Sequence, residues 1–111
     1  MQEQKPYLNP EITLIELAQK VNIPPRSLSE VINISYRQNF YDFINTFRIR
    51  ESEMLFTSNR DQNKTILEVL FEVGFNSKSS FNSAFKKLTG MTPTEYRRNQ
   101  QTPNIQQKQA G

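Results

Sequence analysis

The sequence has no cysteine, no histidine and no tryptophan. The lack of cysteine excludes disulfides, thiolate metal sites and a cysteine nucleophile, and the lack of histidine removes the commonest general base and transition-metal ligand. No apolar run approaches the roughly 20 residues that span a bilayer. The first residues after Met1 are polar or charged rather than the apolar core of a signal peptide. We therefore expect a cytoplasmic binding module without a metal, a cofactor or enzymatic activity.

Charge is distributed unevenly along the chain. Residues 1–56 carry six Lys and Arg against seven Asp and Glu, whereas residues 57–111 carry eight against four. Between residues 77 and 98 the acidic residue is Glu95, and the basic residues are Lys78, Lys86, Lys87, Arg97 and Arg98. Such a stripe is typical of a protein that binds a polyanion, although a solvated helix face carries the same pattern.

Four signals predict where helices begin. Thr13, Thr65 and Thr92 are each followed three residues later by Glu, which is the pattern of a capping box. Asn39, with Asp42 in the first turn, is a weaker start of the same kind. Apolar residues recur at helical spacing between these starts, and the sequence has no alternating strand pattern. We therefore predict an all-α chain.

An internal repeat organises the predicted helices. An offset of 52 residues relates Thr13, Glu16, Leu17, Val21 and Ile23 to Thr65, Glu68, Val69, Val73 and Phe75. After a one-residue insertion, an offset of 53 relates Leu28, Val31, Ile32, Asp42 and Phe43 to Phe81, Ala84, Phe85, Glu95 and Tyr96. Each copy has a short helix, a tight turn and a second amphipathic helix, which is the helix-turn-helix outline. The predicted fold is two helix-turn-helix subdomains joined by a long linker helix.

This pattern divides the chain into five segments. They are an N-terminal remnant (1–9), the first helix-turn-helix (10–38), the linker helix (39–56), the second helix-turn-helix with a final helix (57–98) and a disordered tail (99–111). We expect Phe43 and Phe47 of the linker to face the first core and Leu55 to face the second. The tail is too polar to bury the apolar surface that ordering requires.

The second copy also carries a family resemblance. The segments Val73-Gly-Phe-Asn-Ser77, Phe81-Asn-Ser-Ala-Phe-Lys-Lys87 and Gly90-Met-Thr-Pro-Thr-Glu-Tyr-Arg97 closely resemble the signature of the AraC/XylS family of transcriptional regulators. The first copy, from Leu14 to Ile49, is similar to the family's other half, so the resemblance covers roughly residues 10–98. It implies a homeodomain-like, bipartite domain whose two recognition helices enter successive major grooves of double-stranded DNA. RNA polymerase is a further expected partner.

The second helix of each copy, here called a reading helix, presents the candidate base contacts. They are Arg26, Ser29 and Glu30 in the first reading helix and Lys78, Ser79, Asn82 and Ser83 in the second. In the first reading helix we expect Leu28 and Val31 to face the core. Arg26 can pair with guanine, Glu30 can accept from a cytosine amino group, and Asn82 can bind adenine through both ends of its amide. Two alternatives stay open: Glu30 as a solvated carboxylate that repels phosphate, and the serines as groups bonded to water or backbone.

The candidate phosphate contacts are Lys86, Lys87, Arg97 and Arg98, together with the N–H groups at the helix starts near Asn39 and Thr92. These contacts would supply affinity and register rather than sequence preference. The phenylalanines, which recur at helical spacing, are assigned to the core rather than to base stacking.

Three features depart from the family pattern. Arg37 stands where the second copy has Gly90, so the first reading helix must end without the conformational freedom of glycine. Pro24 replaces a capping serine, and Met1–Lys5 is too short for the helix that usually comes first. We interpret the chain as a monomeric C-terminal output domain that lacks the sensor or dimerisation domain of a larger regulator. The alternative function is a helical protein-interaction module, or a non-specific nucleic-acid binder, that has lost specific DNA readout.

Overall fold

The computed structural model describes residues 5–58 and 63–101, which form one short 3-10 helix and six α-helices without any strand. The 3-10 helix is Pro6–Leu8, and the α-helices are α1 (Leu14–Lys20), α2 (Pro25–Ser35), α3 (Phe40–Thr57), α4 (Ile66–Glu72), α5 (Lys78–Thr89) and α6 (Pro93–Gln101). The predicted all-α fold is confirmed. The first helix-turn-helix is α1 and α2, the second is α4 and α5, and α3 joins them.

Side-chain caps begin most of these helices where the sequence predicts them. At α1, Thr13 Oγ1 accepts from the Glu16 N–H and Glu16 Oε1 accepts from the Thr13 N–H, both at 3.1 Å. The same reciprocal pair of bonds begins α4 at Thr65 and α6 at Thr92. Asn39 begins α3 with a single hydrogen bond, in which its Oδ1 accepts from the Asp42 N–H at 2.8 Å. Each bond provides an acceptor for a backbone N–H that has none within the helix.

At corresponding turns of the two copies, one residue has a left-handed backbone conformation. Asn22 (φ 61°) and Gly74 (φ 102°) lie between the two helices of each copy, while Arg37 (φ 54°) and Gly90 (φ 83°) follow each reading helix. The repeat therefore extends from the sequence to the backbone conformation. Asparagine tolerates this region, but Arg37 holds a conformation that costs a non-glycine residue about 1–2 kcal/mol.

Each helix-turn-helix has its own core, and α3 contributes to both. The first core includes Leu17, Ala18, Leu28 and Ile32 with Phe43 and Ile44 of α3. The second core includes Val69, Leu70, Phe81 and Phe85 with Ile49 and Phe56 of α3. Phe47, which we expected to be buried in the first core, is only half-buried at its margin, and Leu55 packs at the margin of the second core as predicted. A single continuous helix therefore fixes the position of one core relative to the other.

The segment before α1 is a second connection between the cores. Tyr7 is buried in the first core, and Leu8 packs against both cores. Glu51 of α3 accepts a hydrogen bond from the Tyr7 hydroxyl at 3.1 Å and an ion-paired hydrogen bond from Lys5 at 3.0 Å. Burial and the Glu51 carboxylate raise the pKa of Tyr7 to about 12. The hydroxyl therefore stays protonated and donates to Glu51 at neutral pH.

Arg48 of α3 lies where this segment meets the second helix-turn-helix, and its side chain is buried. Its Nε donates to the Tyr7 carbonyl oxygen at 2.7 Å, and a terminal nitrogen donates to the Asn9 carbonyl oxygen at 3.0 Å. The guanidinium carbon is 5.6 Å from the centre of the Phe75 ring. A Cβ atom at Gly74 would lie only 2.7 Å from the Tyr7 oxygen, so this junction requires glycine.

Three predictions need correction. Residues 5–9 are not a remnant, because Tyr7 and its hydrogen bonds make them part of the first core. The final helix continues to Gln101, so residues 99–101 are helical where a disordered tail was expected; Asn99 contacts Met91 Sδ at 3.3 Å. Val31, expected to face the core beside Leu28, is 44% exposed because Leu28 and Ile32 define the buried side of α2. The rest of the predicted remnant and tail, residues 1–4 and 102–111, lies outside the described residues.

Candidate DNA-binding surface

The first reading helix, α2, places its three candidate base contacts away from the core. Arg26 and Glu30 are exposed one helical turn apart, with 3.7 Å between Nε and Oε1. Ser29 is half-buried, and its hydroxyl accepts a 3.5 Å hydrogen bond from Asn33. Since exposed ion pairs contribute about 0–1 kcal/mol, the Arg26–Glu30 pair can open at little cost when either side chain meets a base.

The second reading helix, α5, is anchored by Phe81 and Phe85, neither of which has any exposed surface. Ser77 begins the helix by accepting the Ser80 N–H at 3.2 Å. The four candidate base contacts on this helix are all exposed; they are Lys78, Ser79, Asn82 and Ser83. This face thus offers an ammonium group, an amide and two hydroxyls, all of which can bond to base edges.

The four cationic phosphate candidates have different surroundings. Lys86 and Arg98 are exposed. Lys87 Nζ lies 3.8 Å from Asp42 Oδ2 and so connects α5 to the start of α3. The guanidinium of Arg97 lies 5.7 Å from the centre of the Phe56 ring and is half-buried. Lys87 and Arg97 are therefore partly committed to contacts within the protein, which the sequence did not indicate.

The two helix-start candidates use their side chains as caps. Asn39 accepts the Asp42 N–H, which leaves the first two amides of α3 directed out of the helix. At α6, Pro93 has no N–H. The Thr92 N–H donates to Glu95 Oε1, and Thr92 Oγ1 accepts from the Glu95 N–H. These bonds from the Thr92 backbone and side chain lower the pKa of Glu95. The Glu95 carboxylate therefore lies where a phosphate would bind, and α3 offers the more accessible of the two starts.

A cleft of about 440 Å³ lies between the two helix-turn-helix units. We call it the central cleft. The cleft is lined by the turn between α2 and α3, the first part of α3 and one side of α5; the lining residues are Arg37, Gln38, Tyr41, Asp42, Asn45, Ser80, Ser83, Ala84, Lys87 and Leu88. Two of these lining residues, Ser83 and Lys87, are among the candidates chosen from the sequence, whereas Arg37 and Tyr41 are not. The signal that pointed to Arg37 was its replacement of the glycine found in the second copy.

Residues 5–58 and 63–101 contain no group of three or more acidic side chains placed to hold a metal ion. No helix in these ranges is long and apolar enough to cross a membrane. The surface described above offers cations, hydroxyls, amides and backbone N–H groups, which are donors of the kind that bind phosphates and base edges in DNA, together with the carboxylates of Glu30, Asp42 and Glu95.

Known proteins share this sequence pattern. Residues 17–99 match the model of a helix-turn-helix domain family. An uncharacterized HTH-type transcriptional regulator of Staphylococcus aureus (strain COL) is 31% identical over 91 residues, which are 82% of this chain and 12% of that protein. The melibiose operon regulatory protein of Escherichia coli (strain K12) is 28% identical over 87 residues, which are 78% of this chain and 28% of that protein. The chain thus spans a small part of these relatives.

Solved structures share the fold. The C-terminal domain of AraT, a response regulator from Geobacillus stearothermophilus, is 29% identical with a TM-score of 0.71, covering 86% of this chain and 77% of that one. A transcriptional regulator from Chromobacterium violaceum, described as containing an AraC-type DNA-binding domain, has a TM-score of 0.72 at 19% identity, covering 84% of this chain and 80% of that one. At that identity the second similarity bears on the fold alone.

Proposed function

Because the chain belongs to the AraC-type helix-turn-helix family of transcriptional regulators, we propose that it reads an asymmetric DNA site about two helical turns long. The two reading helices, α2 and α5, each enter a major groove with the N-terminal half leading. Their outward residues differ, so one chain distinguishes the two ends of its site.

The shared helix α3 is the observation that supports this proposal. Its 18 residues measure about 27 Å at 1.5 Å per residue, and it packs into both cores. Major grooves recur about every 34 Å along one face of B-DNA. A linker of this length, with its flanking helices, can hold the two reading helices one turn apart without a flexible joint.

The proposed roles follow from chemistry and exposure. Base contacts come from Arg26, Ser29 and Glu30 in one groove and from Lys78, Ser79, Asn82 and Ser83 in the next. Phosphate contacts come from Lys86, Lys87, Arg97, Arg98 and the amides near Asn39, whereas the Glu95 carboxylate occupies the helix start at Thr92. Because most of these cations belong to the second copy, we expect it to supply most of the non-specific affinity.

Selection of bound duplexes from a random library, followed by fluorescence anisotropy on the selected site, tests the proposal. We expect an asymmetric consensus of about 20 base pairs, with the whole site bound more tightly than either half. A palindromic consensus, or equal affinity for a half-site, would contradict it. Absence of binding to any duplex at low salt would instead favour the protein-interaction module.

The chain spans only 12% and 28% of the relatives named above, so the partners of a whole regulator are proposed in general terms. We propose that this domain binds DNA as a monomer and without catalysis, because one chain carries both reading helices. RNA polymerase and a sensor or dimerisation domain are expected from the family resemblance. Access to bacterial DNA would place the protein in the cytoplasm.

A further inference from the structure

The central cleft contains two residues for which the proposed readout has no role, Arg37 and Tyr41. Both are exposed, and Tyr41 keeps 56% of its surface accessible. Lys87 lines the opposite wall of the cleft. The cleft therefore presents two cations and a phenol hydroxyl, all of which can donate hydrogen bonds, in a space of about 440 Å³.

Arg37 occupies its place at a conformational cost. Its φ is 54°, in the left-handed region, and the equivalent residue of the second copy is Gly90 at φ 83°. Glycine adopts this conformation without strain, and arginine does not. Strained residues cluster at functional sites, so a cation kept where glycine would be more stable suggests a contact that the cation makes.

The cleft adjoins the candidate base contacts of the second reading helix. Ser83 is exposed on that helix and also lines the cleft wall, while Arg37 lies two residues beyond the end of the first reading helix. If the two helices occupy successive major grooves, the sugar-phosphate backbone must cross the surface between them. We infer that the central cleft binds a phosphodiester of that backbone, with Arg37 as the principal donor. This inference rests on the proposed function.

The negative charge in the cleft does not prevent such binding. Asp42 is the acidic residue lining it, and Lys87 Nζ is 3.8 Å from its carboxylate. The charges of Lys87 and Asp42 offset each other, so Arg37 supplies the net positive charge of the cleft. Arg37 can also donate to two oxygens of one phosphate because its guanidinium is a planar fork.

The test compares two substitutions of Arg37 on a mixed-sequence, fluorescein-labelled duplex of about 26 base pairs. Each lost phosphate contact lowers the slope of log affinity against log salt by about 0.9. We expect Arg37→Gln and Arg37→Gly each to decrease the magnitude of this slope by about 0.9. Arg37→Gly should also raise the thermal unfolding midpoint, since it removes the left-handed strain, so its loss of binding cannot be attributed to misfolding.

Arg50→Gln is the matched control, because Arg50 is an exposed arginine of α3 that lines a different groove with Tyr7 and Phe47. It should leave the salt slope unchanged. Wild-type slope in both Arg37 variants, or an equal loss in the control, would overturn the inference while the wild-type protein still binds DNA. A wild-type protein that binds no duplex would overturn the proposed function as well, so the two failures are distinguishable.

Discussion

Arg48 is a buried cation whose acceptors are backbone carbonyl oxygens and the Asn45 amide oxygen at 3.2 Å, rather than a carboxylate. Burial lowers its pKa, although a guanidinium stays charged at neutral pH. Its two bonds to the Tyr7 and Asn9 carbonyl oxygens hold the N-terminal segment against α3, and the bond to Asn45 lies within α3. Sequence reasoning missed this role because an isolated arginine in a helix looks like any solvated charge, and its partners lie about 40 residues away.

We predict that Arg48→Ala lowers the free energy of unfolding by about 3 kcal/mol or more, because it leaves the buried Tyr7 carbonyl oxygen without its donor and opens a void. Arg48→Lys should be intermediate, since an ammonium group cannot reach all three acceptors. Urea unfolding measures both. The neighbouring Arg50→Ala, at an exposed position, should stay within about 0.5 kcal/mol of wild type.

The two glycines of the second copy allow a paired comparison. Both have positive φ, but a Cβ at Gly74 would meet the Tyr7 oxygen at 2.7 Å, whereas a Cβ at Gly90 has nothing within 4 Å. We expect Gly90→Ala to cost about 1 kcal/mol from strain alone. Gly74→Ala should cost about 3 kcal/mol, because the clash adds to the strain. Equal costs in denaturant titrations would show that the junction gives way around the added methyl group.

Among the helices, the capping boxes predict how stability responds to acid. Hydrogen bonds from the backbone and side chain of Thr65 lower the pKa of Glu68, and those of Thr92 lower the pKa of Glu95. A carboxyl whose pKa is lower in the folded state stabilises the fold above its unfolded pKa, and this stabilisation is lost as pH falls through the folded pKa.

We therefore predict that Glu68→Gln and Glu95→Gln flatten the fall in stability as pH decreases below about 5, measured by urea unfolding at each pH. Glutamine keeps an acceptor oxygen at the cap but does not titrate. Glu11→Gln, at an exposed glutamate outside any capping box, serves as the control and should retain the wild-type profile. An unchanged profile in both cap variants would mean that other carboxyls control acid unfolding.

Helix starts and the outward faces of the reading helices were predictable because the interactions behind them are local. A threonine and the glutamate three residues later bond across one turn, and the buried positions of a helix determine which residues point outward. The Lys87–Asp42 pair was not predictable, since its partners lie 45 residues apart on different helices. Helical periodicity alone did not place Val31 correctly, because this residue lies at the edge of the buried stripe of α2.

For the molecule as a whole, the connections between the cores predict a single unfolding transition. Leu8 packs against both cores, Arg48 lies between them, and α3 enters both. Domains of about 50 residues are marginal alone, so each half depends on the other. Neither half should retain a stable fold once its neighbour has unfolded.

Phe43→Ala tests this dependence. Phe43 is 8% exposed and contacts the rings of Tyr36 and Phe47, with centroids 5.0 and 5.1 Å away. Its loss should cost about 3–5 kcal/mol. We expect amide exchange to accelerate equally at Leu17 of the first core and at Leu70 of the second. Protection that persists at Leu70 alone would mean that the halves unfold separately.

The sharing of α3 by both cores also limits how such a protein can be recombined. Suppose that the first helix-turn-helix were exchanged for one from a relative to change half of the recognised site. A crossover before α3 would place Phe43 and Ile44 against foreign partners, and a crossover after it would replace Ile49 and Phe56, so that foreign side chains would face the native second core. Functional chimeras should therefore require matching substitutions on one side of α3, so the two halves should diversify by point mutation more readily than by exchange.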